Sequence, residues 1–190
     1  MNIHSYMRNS SVNGPGNRFV LWTQGCSKGC RECYNPETWS LEGQEILESE
    51  IFELIKRSNV DGVTISGGDP LEQPDSLLKL LLLLEGLDLP KGVIVFTGYT
   101  IDEIKEKGGS VYEILSHIDV LIDGRYEKDL KISSDLRGSA NQNFLYFSSK
   151  IKEEELIFDH EIEVGYNGQL FITGFPKLDR KYLKNLGVIV

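Results

Sequence analysis

Four short segments rich in β-branched and aromatic residues, Arg18–Thr23, Asp61–Ser66, Gly92–Phe96 and Asp119–Ile122, recur between residues 18 and 122. Helical spacing fills the gaps between them. Leu47, Ile51, Leu54 and Ile55 predict one helical face over Gln44–Ser58, a leucine-rich helix is expected from about Pro70 to Glu85, and helical segments continue to about Ser116. Strands alternating with helices point to parallel strands joined by right-handed crossovers. In such a sheet, ligands bind beyond the carboxyl ends of the strands.

With 190 residues and 40% hydrophobic content, one sizeable core is expected. We place a core domain at 1–150 and an appendage packed on it at 151–190. The rhythm loosens over Gly124–Gln142, before a strand at Phe144–Ser148. In the appendage, Glu161–Val164 and Gln169–Thr173 flank Tyr166-Asn167-Gly168, a hairpin-turn signal, and a further segment runs from Leu178 to Leu186. A net charge of -9 argues against nucleic acid as a partner. The polar start, Met1–Ser11, carries no secretion signal, and the longest leucine run, Leu80–Leu84, is too short to span a bilayer, so no membrane partner and a cytoplasmic location are expected.

All three cysteines, Cys26, Cys30 and Cys33, lie within eight residues, directly after the first strand. An odd, tight cluster is the opposite of a disulfide framework and has the character of a ligand set. No fourth cysteine exists to complete an all-thiolate site, so a cubane iron–sulfur cluster here would keep one iron open. Three thiolates with His4, His117 or His160 would equally make a tetrahedral zinc site. Ordinary buried thiols are a third reading, although Gly25, Ser27, Lys28 and Gly29 give the segment a loop composition.

Motifs along the chain separate these readings. Val12–Cys26 (VNGPGNRFVLWTQGC), the cysteine triplet, Cys33–Trp39 (CYNPETW), Ser66–Leu71 (SGGDPL), Thr97-Gly98-Tyr99, Leu121–Gly124 (LIDG) and Arg137–Gln142 (RGSANQ) occur in one order. Together they resemble the anaerobic ribonucleotide reductase activating proteins, which are short radical S-adenosylmethionine enzymes. The resemblance runs from about Val12 to Gln142. It implies an incomplete, open (βα) barrel of five or six parallel strands with a small C-terminal hairpin. It also implies a [4Fe-4S] cluster on Cys26, Cys30 and Cys33 that cleaves S-adenosylmethionine to a 5'-deoxyadenosyl radical. The implied partners are an anaerobic ribonucleotide reductase, on which a glycyl radical is installed, and a flavodoxin- or ferredoxin-type electron donor. Radical modification of another peptide or a small molecule, and a non-catalytic zinc module, are the alternatives.

Under this resemblance Gly67, Gly68, Asp69, Thr97, Tyr99, Asp123, Arg137 and Asn141 are candidates for binding S-adenosylmethionine. Each also has a plain structural reading. Asp69, Pro70 and Glu72 read as N-cap, N1 proline and N3 glutamate of a capping box. Tyr99 suits a half-buried strand end, Asp123 an ordinary turn, and Arg137–Gln142 a polar loop. Asn13-Gly14-Pro15-Gly16 reads as a tight turn, and Tyr34 and Trp39 as aromatics packed over the cysteine loop.

Overall fold

The computed structural model describes residues 1–132 and 135–156, together with the backbone of 160–164 and 170–174. Seven strands form one mixed sheet: β1 (Asn2–Ser10), β2 (Arg18–Thr23), β3 (Gln44–Glu45), β4 (Gly62–Gly67), β5 (Val93–Phe96), β6 (Val120–Asp123) and β7 (Asn143–Tyr146). Their order is β3-β1-β2-β4-β5-β6-β7. The four expected strands β2, β4, β5 and β6 are consecutive and parallel. Antiparallel β1 and β7 flank them, so the described sheet has four parallel strands where five or six were expected.

Strand β1 has no counterpart in the sequence reading. Its residues are mostly polar and exposed, and only Ile3 and Ser10 are buried, so it lacks the alternation that marks a half-buried strand. Strand β7 follows β6 through a loop rather than a crossover helix, which explains its antiparallel direction.

Helices α1 (Glu48–Ser58), α2 (Pro74–Leu84), α3 (Ile101–Lys107) and α4 (Gly109–Glu113) connect the strands. Helix α1 begins later than expected because Gln44–Glu45 pairs with β1; Ile51 and Ile55 are buried, whereas Leu47 lies just outside the helix and is 62% exposed. Helix α2 is also shorter than expected. Pro70–Glu72 forms a separate 3-10 turn, and Pro74 restarts the chain as a true helix. Leu77, Leu80, Leu81 and Leu84 then recur at helical spacing and are buried.

One face of the sheet, with Phe19, Leu21, Val63, Ile65, Val93, Val95 and Leu121, packs on these helices. On the other face Ile94, Val120 and Ile122 meet Leu136, Ile151 and Leu156, so buried contacts continue past residue 150. Strands β8 (His160–Val164) and β9 (Leu170–Gly174) pair antiparallel as expected; the Tyr166–Gly168 turn and the Leu178–Leu186 segment lie outside the described residues. No described helix is long and apolar enough to cross a membrane.

At the amino-terminal edge of the parallel strands Arg18 is fully buried. All five of its N–H groups are used: Nε donates to Thr64 Oγ1 (2.6 Å), Nη1 to the carbonyls of Pro15 (3.1 Å) and Lys91 (2.8 Å), and Nη2 to those of Val63 (2.6 Å) and Gly92 (3.0 Å). Burial lowers its pKa to about 9, against the pull of Asp119 and Asp61. The turn at Asn13–Gly16 wraps this side chain. Gly14 has φ +127°, and a Cβ there would sit 2.7 Å from Arg18 Cδ.

Candidate functional site

The opposite, carboxyl-terminal edge gathers four of the predicted segments. Parallel pairing in register, Thr23 beside Gly67 and Phe96 beside Ile122, brings the cysteine loop, Gly67–Asp69, Thr97–Tyr99 and Asp123–Gly124 to one rim. Gly68 N–H donates to the Thr23 carbonyl (2.8 Å) and Asp69 N–H to the Gly25 carbonyl (2.9 Å), so the start of the cysteine loop is hydrogen-bonded onto the end of β4. A Cβ on Gly67 would lie 2.4 Å from Thr23 N, and one on Gly68 2.4 Å from the Gly25 carbonyl oxygen. The approach Gly68 permits is therefore to the cysteine loop itself, and that of Gly67 to the end of β2.

Asp69 is 1% exposed and joins two strand ends. Its Oδ1 accepts from Thr97 Oγ1 (2.9 Å) and Leu71 N–H (3.1 Å), and its Oδ2 accepts from Gly98 N–H (3.0 Å). The capping box expected at this point does not form. Glu72 turns to the cysteine loop instead, accepting from Ser27 Oγ, Lys28 Nζ (3.0 Å) and Tyr99 OH (3.3 Å).

The cysteines themselves form no disulfide and are partly buried. Cys33 Sγ accepts from Asn35 N–H (3.4 Å), and the backbone N–H groups of Lys28 and Tyr126 favour the thiolate forms of Cys26 and Cys30. Such donors stabilise a thiolate ligand and tune the group it binds. Burial pushes the Cys26 and Cys30 thiols up, and these N–H groups oppose it. Among the described residues no three His, Cys, Asp or Glu side chains are drawn tightly around one point. Of the histidines that could serve as a fourth ligand, His4 meets Gln24 and His117 meets Glu85, while His160 belongs to β8.

Residues 12–145 match the protein family described as "4Fe-4S single cluster domain". Three proteins named anaerobic ribonucleoside-triphosphate reductase-activating protein are similar over most of the chain. That of Pasteurella multocida is 39% identical over 158 residues, covering 78% of this chain and 99% of that protein. The Escherichia coli K12 protein is 37% identical and covers 75% and 96%. The phage T4 protein is also 37% identical and covers 69% and 85%. The chain belongs to the anaerobic ribonucleoside-triphosphate reductase-activating protein family.

Set beside that family membership, the remaining candidates divide. Tyr99 is 8% exposed at the rim, with the Lys28 ammonium 3.3 Å from its ring centroid. Asp123 is turned inward: its Oδ2 accepts from Ile101 N–H (2.8 Å) at the start of α3, and its Oδ1 from Asn143 Nδ2 (2.8 Å). It ties β6 to α3 and β7. Arg137 pairs through two N–H groups with Asp135 (2.9 and 2.8 Å) and stacks against Phe144, so its guanidinium braces its own loop. Asn141 donates to the Arg125 carbonyl (2.8 Å), while its Oδ1 is buried with no hydrogen-bond partner among the described residues.

In this member of the activating-protein family, four contributors carried no sequence signal of their own role. Lys28 and Glu72 clamp the cysteine loop. Gln142 is buried and joins the Arg137–Gln142 loop to β6, accepting from Gly138 N–H (2.8 Å) and donating to the Gly124 carbonyl (2.9 Å). Tyr126 stacks edge-on against Tyr34, 4.8 Å between centroids, and a Cβ on Gly138 would press on both rings. Tyr34 thus packs beside the loop as expected; Trp39 is 38% exposed.

Charge at the rim follows from these contacts. Burial works against the Lys28 ammonium, but Tyr99 and Glu72 outweigh it and raise its pKa; burial likewise works against the Glu72 carboxylate, which Ser27 and Lys28 hold below its ordinary value. Burial pushes the Asp69 carboxyl up to about 6, against the donors Thr97, Leu71 and Gly98. From about pH 4 to 6 the folded chain then keeps a proton that the unfolded chain has lost, so Asp69 makes stability fall as pH rises through that window. Denaturant unfolding of the metal-free protein should show a loss on the order of 2–3 kcal/mol from this group. That slope should be absent in Asp69→Asn; parallel pH curves for the two proteins would exclude this origin.

Proposed function

We propose that Cys26, Cys30 and Cys33 hold a [4Fe-4S] cluster with one iron open to the amino and carboxylate groups of S-adenosylmethionine. The chain would use it to install a glycyl radical on an anaerobic ribonucleotide reductase in the cytoplasm. The observation that carries this reading is three cysteines, none in a disulfide, on one loop seated against strand-end glycines in a member of the activating-protein family. The donor set suits the cluster: soft thiolates select iron–sulfur centres, and a fourth cysteine is missing from the sequence. Held by Cys26, Cys30 and Cys33 and reduced by a flavodoxin- or ferredoxin-type donor, such a cluster would supply one electron to the sulfonium, giving methionine and a 5'-deoxyadenosyl radical that would take the glycine hydrogen and leave as 5'-deoxyadenosine.

The chain's own residues orient and shield. Gly67 and Gly68 hold the loop close to the strand ends, and Asp69 locks the β4 and β5 ends together through Thr97 and Gly98. This favours a positioning role for Asp69 and Thr97 beneath the cofactor. Asn141 Oδ1, buried and without a partner among the described residues, is the acceptor best suited to a donor group of S-adenosylmethionine. The fold reading that accompanies this function is an open barrel wall, supported by four parallel strands with their carboxyl ends at one rim.

The test is an anaerobic mixture of the cluster-loaded protein, a candidate anaerobic reductase, S-adenosylmethionine and dithionite, followed by electron paramagnetic resonance. A glycyl doublet that requires S-adenosylmethionine is expected. Vigorous cofactor cleavage without a doublet on the reductase would overturn the pairing.

A further inference from the structure

The segment between the first two cysteines is tied to the neighbouring strand ends through a single carboxylate oxygen. Glu72 Oε1, on the turn after β4, accepts from Ser27 Oγ, from Lys28 Nζ (3.0 Å) and from Tyr99 OH (3.3 Å). Lys28 has little access to water: its side chain is 6% exposed. Its stem crosses Gly98 so closely that a Cβ there would lie 2.9 Å from Lys28 Cγ, and its ammonium faces the Tyr99 ring at 3.3 Å. Lys107 lies 4.8 Å from the same ring, and Asp69 sits beneath Gly98.

A loop-anchoring contact alone would need only a hydrogen bond. The observed contact is a full charge pair, its Glu72 end 26% exposed, with the cation on the thiol-bearing loop two residues from both Cys26 and Cys30. The Lys28 charge, with little access to water, is screened little, and the partly exposed Glu72 carboxylate bonded to it acts on the same loop. A cluster held by thiolates is anionic, and reduction deepens its charge. The potential of such a centre responds to nearby charge and exposure.

We propose that the Lys28–Glu72 pair sets the reduction potential of the cluster at Cys26, Cys30 and Cys33, with Lys28 favouring the added electron and Glu72 opposing it. This rests on the cluster reading above. The two residues have opposite signs, and therefore opposite effects when neutralised one at a time. Removing the Lys28 charge leaves Glu72 facing an anionic centre; removing the Glu72 charge leaves Lys28 uncompensated beside it.

The experiment is an anaerobic dithionite titration, with mediators, of protein reconstituted with iron and sulfide. The reduced cluster is followed by its paramagnetic signal in wild type, Lys28→Gln, Lys28→Arg, Glu72→Gln and the Lys28→Gln/Glu72→Gln double variant. At a fixed potential near the wild-type midpoint, the reduced-to-oxidised ratio should fall about tenfold in Lys28→Gln and rise about tenfold in Glu72→Gln, about 59 mV either way for one electron. Lys28→Arg and the double variant should stay close to wild type.

Unshifted single variants, or single variants that shift in the same direction, would overturn the proposal while leaving the cluster reading intact. Wild type that takes up no iron and sulfide would overturn both. Should Lys28→Gln fail to fold, judged by thermal unfolding of the metal-free chain, the upward shift in Glu72→Gln and its cancellation by Lys28→Met in a double variant decide the matter.

Discussion

Alanine in place of Cys26, Cys30 or Cys33 is expected to abolish reductive cleavage of S-adenosylmethionine and to strip the visible absorbance of the reconstituted protein. A three-ligand site has no spare thiolate, since these are the only cysteines in the sequence. The effect should exceed the roughly 10–100-fold loss that follows removal of an outer-shell partner of a metal site. Serine should not rescue, because a harder oxygen ligand suits the cluster poorly. The metal-free variants should unfold at close to the wild-type denaturant concentration, because all three side chains are only partly buried. Iron content, the visible spectrum and cofactor cleavage are the measurements. A Cys→Ala variant with a wild-type spectrum and cleavage rate would remove that residue from the ligand set.

Arg18→Met is expected to produce the largest loss of stability, and it acts at the far edge of the sheet. The substitution removes a buried cation and takes its donor from the carbonyls of Pro15, Val63 and Lys91, while the Gly92 carbonyl keeps Val63 N–H and the Thr64 hydroxyl keeps the Asn13 carbonyl. Buried polar groups left without partners cost about 1–3 kcal/mol each, and breaking a buried charged network typically costs about 3–5 kcal/mol in total. We expect a destabilisation in that second range, read from urea unfolding of the metal-free chain at unchanged m value. A lysine in its place keeps the charge but lacks the planar five-donor fork, so Arg18→Lys should fall between wild type and Arg18→Met. A loss below about 1 kcal/mol for Arg18→Met would mean that water or repacking satisfies these carbonyls.

The two edges of the parallel strands therefore divide the work. Arg18 binds the amino-terminal ends of β2, β4 and β5 through their backbone carbonyls. At the carboxyl-terminal ends Asp69 does the corresponding task with its carboxylate, collecting backbone and hydroxyl donors from β5 and the turn after β4. Both groups are buried, and both are shifted toward neutrality by desolvation. The cysteine loop rests on the second of these junctions.

By itself the sequence determined the parallel centre of the sheet and the segments that meet at its rim. β2, β4, β5 and β6 were legible because strands buried on both faces are nearly continuous runs of apolar, β-branched residues, whatever surrounds them. The cysteine spacing and ordered motifs were legible because ligand type and motif order are local properties. Strand β1 was not, since an exposed, polar strand has no hydrophobic period and forms only when β2 offers its edge. Nor were the partners of the polar rim residues. Glu72 had a local use, closing a capping box on Asp69, and a distant one, receiving Ser27, Lys28 and Tyr99; the tertiary structure chose the distant one. Asp123 and Arg137 were likewise taken up by Ile101 and Asn143, and by Asp135. A side-chain hydrogen bond depends on which groups lie within about 3 Å, and that proximity exists only after the strands have been set in register.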